Sequence, residues 1–227
     1  MPSLSDLARA FAAVSAFQQV FGLVLVVAVV VLVSDWRVSL LALAVQYVLV
    51  AILLSTLIPL QIATVRMIAG GLVALMFYIT ARRTQPRRRK QRAQGEAPPT
   101  ESVDDVLPRG VFWTNLPFRL IGLALVSLSV IVISSQFVLL NAPLLFWVTG
   151  LWLAAGGLLT VALTRDALKL GMGLLFFTSG FGIIYLSIDN SLLVYALLVI
   201  SDLVIALAIS HIASVPSSLE GRRHGEM

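Results

Sequence analysis

The chain has 227 residues, of which 59% are hydrophobic and only 12% charged, a composition that excludes a soluble globular domain and predicts an integral membrane protein. The absence of cysteine excludes disulfides, iron–sulfur clusters and thiolate metal sites, and two isolated histidines do not make a haem or zinc site, so no cofactor is expected. The net charge of +5 comes from a few basic clusters. In a membrane protein such clusters indicate topology more often than nucleic-acid binding, so no nucleic-acid partner is expected.

Apolar runs of about 20 residues, the length that crosses a hydrocarbon core, recur along the chain after a short amphipathic segment. Residues 3–17 carry one apolar helical face and are predicted to form a helix at the outer membrane interface. The predicted membrane spans then follow at 17–34, 38–58, 61–80, 119–139, 143–163, 168–188 and 192–213. Pro59 marks the turn before the third span, and Asn141 with Pro143 opens the fifth. The predicted fold class is therefore all-α integral membrane, with about seven transmembrane helices.

Basic residues fall almost entirely on one side of this arrangement. Of the sixteen Lys and Arg residues, only Arg9, near the outer interface, and Arg66, within the third span, lie elsewhere. Because cytoplasmic loops carry an excess of Lys and Arg, the pattern predicts an N-terminus outside and a C-terminus in the cytoplasm. One span more or fewer would scatter the charges over both faces, which favours seven.

The sizeable polar segment between the third and fourth spans, residues 81–116, is predicted to be a disordered cytoplasmic loop. It begins ARRTQPRRRKQR and then turns acidic and proline-rich in GEAPPTESVDD, a composition that cannot bury a core. Its basic part, 82–92, is expected to lie on anionic lipid. Docking of this part to a partner subunit is the alternative.

The first three and the last three spans resemble two copies of one unit in the same orientation. Each copy has a basic residue at its first inner turn, Arg37 or Arg165, and one charge in its third helix, Arg66 or Asp202. Parallel repeats are common in transport folds. The predicted organisation is an interfacial helix plus a three-helix repeat at 1–80, the loop at 81–116, a linking helix at 117–140, a second three-helix repeat at 141–215 and a cytoplasmic tail at 216–227.

Asp202 and Arg66 are ionisable residues within the predicted spans, where placing a charge is energetically unfavourable. An ionisable group at the centre of a span costs at least ~2.5 kcal/mol, so each side chain should face protein or water rather than lipid. Counted from the inner ends of their helices, the two residues differ in height by only ~3 Å, so an ion pair is geometrically possible. The alternatives are a site of ion movement at Asp202 and an Arg66 that extends to the outer interface. Gln46 is also well inside a span, where such residues most often form interhelical hydrogen bonds.

The stretch LTRDALKLGMGLLFFTSGFGIIYL, followed by VISDLVIALAIS, resembles the hydrogenase-4 component E family, membrane subunits of complex-I-related hydrogenases. This C-terminal part is similar to the K subunit of complex I and to the C subunit of multisubunit cation/proton antiporters. The family has an arginine at a turn, a glycine-containing helix and an aspartate in the last span, which are matched here by Arg165, Gly173 and Asp202. It also has a basic residue in the third span and a glutamine in the second, which are matched by Arg66 and Gln46. One position departs from the pattern, because Leu175 stands where the K subunit has a glutamate. The departure argues against a complete proton path through this chain.

The resemblance implies a redox-inactive membrane-arm subunit, not itself an enzyme, of a complex-I-like, hydrogenase-like or antiporter-like ion-translocating assembly. It implies a bacterial or archaeal cytoplasmic membrane, and larger antiporter-like membrane subunits as partners. The candidate ion-translocation or ion-pair residues are Asp202 and Arg66, with Gln46, Arg165 and Lys169 as supporting polar residues. A freestanding small transporter with a site between the repeats, and a purely structural scaffold, are the two alternative functions.

Overall fold

The described part of the protein is all-helical, and its long apolar helices indicate a multi-pass membrane protein. The structure, a computed structural model, describes residues 16–33, 35–56, 58–93, 112–136, 144–164, 166–188 and 191–214. These residues form seven α-helices: α1 (Ala16–Leu32), α2 (Trp36–Leu54), α3 (Leu60–Ala93), α4 (Phe112–Gln136), α5 (Leu144–Leu163), α6 (Ala167–Ile188) and α7 (Leu192–Ser214). In the described part of the chain, six of them, α2 to α7, are long and apolar enough to cross a membrane.

Helix α1 differs from the other six in length. It contains 17 residues, which correspond to about 26 Å of helix, slightly less than the ~30 Å of a hydrocarbon core. The predicted span 17–34 therefore coincides with an apolar helix that is shorter than the rest. The other observed helices agree with the predicted spans to within a few residues at most ends, apart from the two that border the polar segment.

The polar segment predicted as a loop over 81–116 is partly helical. Helix α3 continues to Ala93 and helix α4 already begins at Phe112. Arg, Lys and Gln are good helix formers, and extending an existing helix avoids the cost of nucleation. Residues 81–93 and 112–116 of the predicted loop are thus helical, and residues 94–111 lie outside the described part.

Other predictions fall outside the described residues. They concern the part of the interfacial helix 3–17 that precedes residue 16, the Asn141–Pro143 cap, the turn residue Arg165 and the tail at 216–227.

The helices form two rows of three. Within the first row α2 contacts both α1 and α3, and within the second row α6 contacts both α5 and α7. The rows touch through corresponding members, because α1 packs on α5, α2 on α6, and α3 on α7. Helix α4 lies outside the rows against α5 and α1 and has the smallest buried fraction of the six long spans. The third helices of the two rows, α3 and α7, are therefore neighbours.

One end of the bundle, which we call the basic end, is marked by Arg37, Arg82 and Lys169 at the ends of their membrane-spanning segments. The rings of Trp36 and Tyr78 lie 6.4 Å apart there, with Arg37 over the first and Arg82 over the second. At the opposite end, which we call the far end, α2 and α6 finish and α3 and α7 begin.

Helices α5 and α6 approach each other more closely than side chains would permit. A Cβ atom added at Gly157 would lie 2.5 Å from the carbonyl oxygen of Gly173, and one added at Gly173 would lie 2.8 Å from that of Gly157. Gly150 and Gly180 face each other in the same way seven residues away along both helices. Such small-residue contacts let the backbones of membrane helices touch. These two glycine contacts fix the position of α6 against α5. Helix α6 carries Thr178 and Ser179, which belong to the site described below.

Candidate functional site

The side chains of Arg66 on α3 and Asp202 on α7 form a buried ion pair. Arg66 Nη2 lies 3.6 Å from Asp202 Oδ2, and the two side chains are only 1% and 3% exposed. The structure thus brings together the two charged residues that the sequence placed at similar heights. The pair joins the third helix of one row to the third helix of the other.

Two further helices contribute hydroxyl groups to the carboxylate. Thr178 on α6 donates a hydrogen bond to Asp202 Oδ1 at 2.5 Å, and the Tyr47 hydroxyl on α2 donates to Oδ2 at 3.3 Å. Hydrogen bonds that involve a charged partner are stronger than those between neutral groups. Asp202 is therefore contacted by polar side chains from three helices, α2, α3 and α6.

The Arg66 guanidinium is enclosed by aromatic rings and one hydroxyl. Its Nη2 donates to Ser179 Oγ at 2.8 Å. Its central carbon lies 5.7 Å from the ring centre of Tyr47 and 5.5 Å from that of Tyr195, within the range of a cation–π interaction. Its Nε and Nη1 atoms have no hydrogen-bond partner among the described residues.

Tyr47 is held in place by Gly70 on the adjacent helix α3. A Cβ atom added at Gly70 would overlap the Cβ and ring atoms of Tyr47, so the aromatic ring packs directly on the glycine backbone. This contact positions the Tyr47 hydroxyl toward Asp202. A close approach of this kind needs a residue without a side chain.

An apolar layer separates the ion pair from the basic end. Its members lie between about half a turn and several turns from Asp202 or its helix neighbours in that direction, and they are at most 1% exposed: Phe77, Met172, Leu175, Phe176 and Ala206. Leu175, the position where the resembled subunit has a glutamate, is therefore part of a layer that offers no side-chain carboxylate.

Gln46 is fully buried one residue before Tyr47. Neither of its amide atoms has a hydrogen-bond partner among the described residues. The structure therefore places Gln46 deep in α2, as the sequence predicted, without an interhelical hydrogen bond.

Lys169 lies at the basic end rather than at the ion pair. Its Nζ donates to the carbonyl oxygen of Val33 at 2.8 Å, and Arg119 Nη1 on α4 donates to that of Val31 at 3.3 Å. These carbonyls belong to the C-terminal end of α1, where backbone acceptors lack helical partners and positive charge is favourable. Lys169 and Arg119 thus join α1 to α6 and α4.

Replacing Lys169 with methionine is expected to lower the free energy of unfolding by about 1–2 kcal/mol, because the Val33 carbonyl loses a buried charged donor. Denaturation of the purified protein in mixed micelles would measure the change. Lys169→Arg, which keeps the charge and a donor, is the matched control and should retain most of the stability. Equal loss in both variants, or no loss in either, would contradict the capping role.

Four side chains of the site were not identified from the sequence: Tyr47, Thr178, Ser179 and Tyr195. Each is a polar residue at mid-span or within one turn of a span end, but tyrosine, serine and threonine are common in membrane helices and their direction depends on helix packing. One feature of the sequence could have identified two of them: the adjacent Thr178 and Ser179 lie in their span at the height expected for Asp202.

Comparison with family models, curated proteins and solved structures found no match to this chain. Among the residues that the structure describes, no group of three or more His, Asp or Glu side chains is placed to hold a metal ion. What the described residues bring together at this site is a buried charge pair with hydroxyl partners.

Proposed function

We propose that this chain is a redox-inactive membrane-arm subunit of an ion-translocating assembly of the complex-I-like, hydrogenase-like or antiporter-like kind. In this proposal it crosses a bacterial or archaeal cytoplasmic membrane seven times, with the N-terminus outside and two parallel three-helix repeats. The family resemblance of the region that contains Asp202 supports the class of assembly.

The buried Arg66–Asp202 pair is the observation that carries the proposal. Each charge would cost at least ~2.5 kcal/mol in the centre of the membrane if it were unpaired. Apolar side chains of similar volume would join α3 to α7 as well or better, because desolvation often exceeds the Coulomb gain of a buried pair. A fixed charge pair with hydroxyl partners is instead suited to setting the electrostatic potential inside a membrane arm.

The apolar layer supports a role as one subunit among several. Between Asp202 and the basic end, its members Leu175 and Phe77 provide no group that could pass a proton. A continuous charge path must then run through a neighbouring subunit, whose charged groups the Arg66–Asp202 pair would influence electrostatically.

Larger antiporter-like membrane subunits are the proposed partners. Helix α4 exposes a row of large apolar side chains that either lipid or such a subunit can cover: Phe118, Ile121, Leu125, Leu128 and Ile131. The basic segment 82–92 is proposed to contact anionic lipid, since clustered Lys and Arg near a membrane surface are attracted to it.

Purification from its native membrane in mild detergent tests the proposal. We expect larger membrane subunits to co-purify with the chain, and we expect the isolated chain in liposomes to move neither protons nor alkali cations above the rate of empty liposomes. Transport by the isolated chain would overturn the subunit role and favour a freestanding transporter with a site between the rows. If the isolated chain does transport ions, Arg66→Gln in the same liposomes shows whether that transport depends on the ion pair.

A further inference from the structure

Gly71 on α3 differs from every other glycine in the described part of the chain. A Cβ atom added at each of the others would meet another described atom within 4 Å, whereas one added at Gly71 would meet none. Gly71 is also exposed, close to the middle of the span Gln61–Arg82. A glycine inside a helix is destabilising relative to alanine. The packing of the described chain gives no reason for a glycine here, whereas a molecule that lies closely against α3 would.

Gly71 lies along the line of contact between α2 and α3, on the side that faces away from the second row. Gly70, the residue before it, packs on Tyr47 of α2. Because α2 and α3 are antiparallel, the residues that follow this contact, Gly71 and Val48, lie on the same side of it. Both are exposed, as is Leu41, two turns from Val48 toward the basic end. The described chain thus leaves open an apolar groove with a glycine at its floor.

Two arginines stand where this groove reaches the basic end. Tyr78 follows Gly71 by seven residues, two helical turns, so it lies on the same face of α3. Its ring centre is 6.4 Å from that of Trp36 on α2. Arg82 lies over Tyr78 at 5.9 Å, and Arg37 lies over Trp36 at 5.4 Å. Both arginines are exposed, and neither forms an ion pair with a carboxylate of the described residues.

The length of the groove matches one leaflet of a bilayer. Gly71 precedes Arg82 by eleven residues, which correspond to about 16 Å of helix, and half of the hydrocarbon core is about 15 Å. An acyl chain that begins at the level of Arg82 therefore ends at about the depth of Gly71. Met67 and Leu75, one turn to either side of Gly71 on the same helix, are exposed apolar side chains that would flank it.

We propose that the groove between α2 and α3 binds one anionic phospholipid, with its head group on Arg37 and Arg82 and an acyl chain over Gly71. Guanidinium groups bind phosphate oxygens in bidentate geometry. The Asp35 carboxylate at this end accepts from the backbone N–H of Arg37 at 3.0 Å and caps α2. A lipid is assigned rather than a free phosphate because the groove continues, apolar, to the middle of the membrane. The inference rests on the lipid contact proposed for the basic segment 82–92 and deepens it by naming a discrete site.

Thermal unfolding of the purified chain in detergent, with and without added phosphatidylglycerol, tests the site. At about ten times its dissociation constant, the lipid should raise the unfolding temperature by about 3–6 °C, because it binds the folded chain. An equal rise with phosphatidylcholine would contradict the need for an anionic head group. An equal rise with inorganic phosphate alone would contradict a role for the acyl chain.

The head-group contact is tested with two double variants of equal charge change. Arg37→Gln/Arg82→Gln should lose most of the rise caused by phosphatidylglycerol, each variant being compared with itself without lipid. Arg222→Gln/Arg223→Gln, which removes two arginines of the C-terminal tail, should keep it. Equal losses in the two double variants would show an effect of net charge and would overturn the discrete site.

The groove itself is tested by filling it. Gly71→Leu should reduce the rise caused by phosphatidylglycerol by at least about half, because the added side chain occupies the floor of the groove. Ala124→Leu, an equal change at an exposed position of α4, should leave the rise unchanged. A full rise in Gly71→Leu would overturn the proposal, and loss of co-purifying subunits in that variant would then assign the groove to a partner helix. The lipid test uses the isolated chain, so its failure is distinct from a failure of co-purification.

Discussion

Replacing Asp202 with asparagine is expected to lower the free energy of unfolding by about 3–5 kcal/mol, because it leaves the buried Arg66 guanidinium without its compensating charge. Arg66→Gln should have a comparable effect for the converse reason. Both side chains are almost fully buried between α3 and α7, so water cannot replace the lost partner without opening the contact between the two rows. Denaturation in mixed micelles, followed by far-ultraviolet circular dichroism, measures the change.

The matched control for Arg66→Gln is Arg82→Gln on the same helix. Arg82 is exposed at the basic end, where its guanidinium stacks on Tyr78. Its removal should cost no more than about 1 kcal/mol, the contribution of an exposed cation–π contact. A similar loss in Arg82→Gln and Arg66→Gln would show that the effect comes from removing any arginine of α3 rather than from the buried pair.

Substituting valine at Gly157 is expected to lower the stability by about 3 kcal/mol or more, at or above the upper end of typical overpacking effects. The added Cβ would lie 2.5 Å from the Gly173 carbonyl oxygen and 2.6 Å from the Phe177 nitrogen. These are backbone atoms, so α5 and α6 must move apart, and Thr178 and Ser179 on α6 would move with them.

Gly71→Val is the control for this substitution, because a Cβ at Gly71 meets no atom of the described residues within 4 Å. Thermal unfolding of both variants in detergent provides the comparison. If Gly157→Val is as stable as Gly71→Val, the close contact of α5 with α6 does not hold the second row together.

The membrane spans and the Arg66–Asp202 pair could be predicted from the sequence for simple physical reasons. Apolar runs of fixed length indicate spans, and intramembrane charges must find partners. A count of residues from the helix ends was then enough to place the two charges at similar heights. Lys169 was grouped in the sequence with the basic residues of one side, and it lies at the basic end. Its partner could not be predicted, because it is a backbone carbonyl at the end of α1 that no sequence pattern marks.

Other features depend on how helices pack and could not be read from spacing. The direction of Tyr47 is determined by its contact with Gly70 on a different helix, and a glycine in a membrane helix has many possible neighbours. The burial of Gln46 was predicted, but the absence of a hydrogen-bond partner for it among the described residues was not. The continuation of α3 from Arg82 to Ala93 was not predicted. The composition of that segment shows only that it cannot bury a core, and it does not show whether the preceding helix continues.

A double-mutant cycle across Arg66 and Asp202 tests the central claim most directly. The free energies of unfolding of Asp202→Asn, Arg66→Gln and the double variant are compared with that of the unmodified chain. If the buried pair joins the two rows, the double variant should be more stable than the sum of the single losses predicts, by at least about 1 kcal/mol. Losses that add to within about 0.5 kcal/mol, the limit for independent sites, would contradict the ion pair and the role proposed for it.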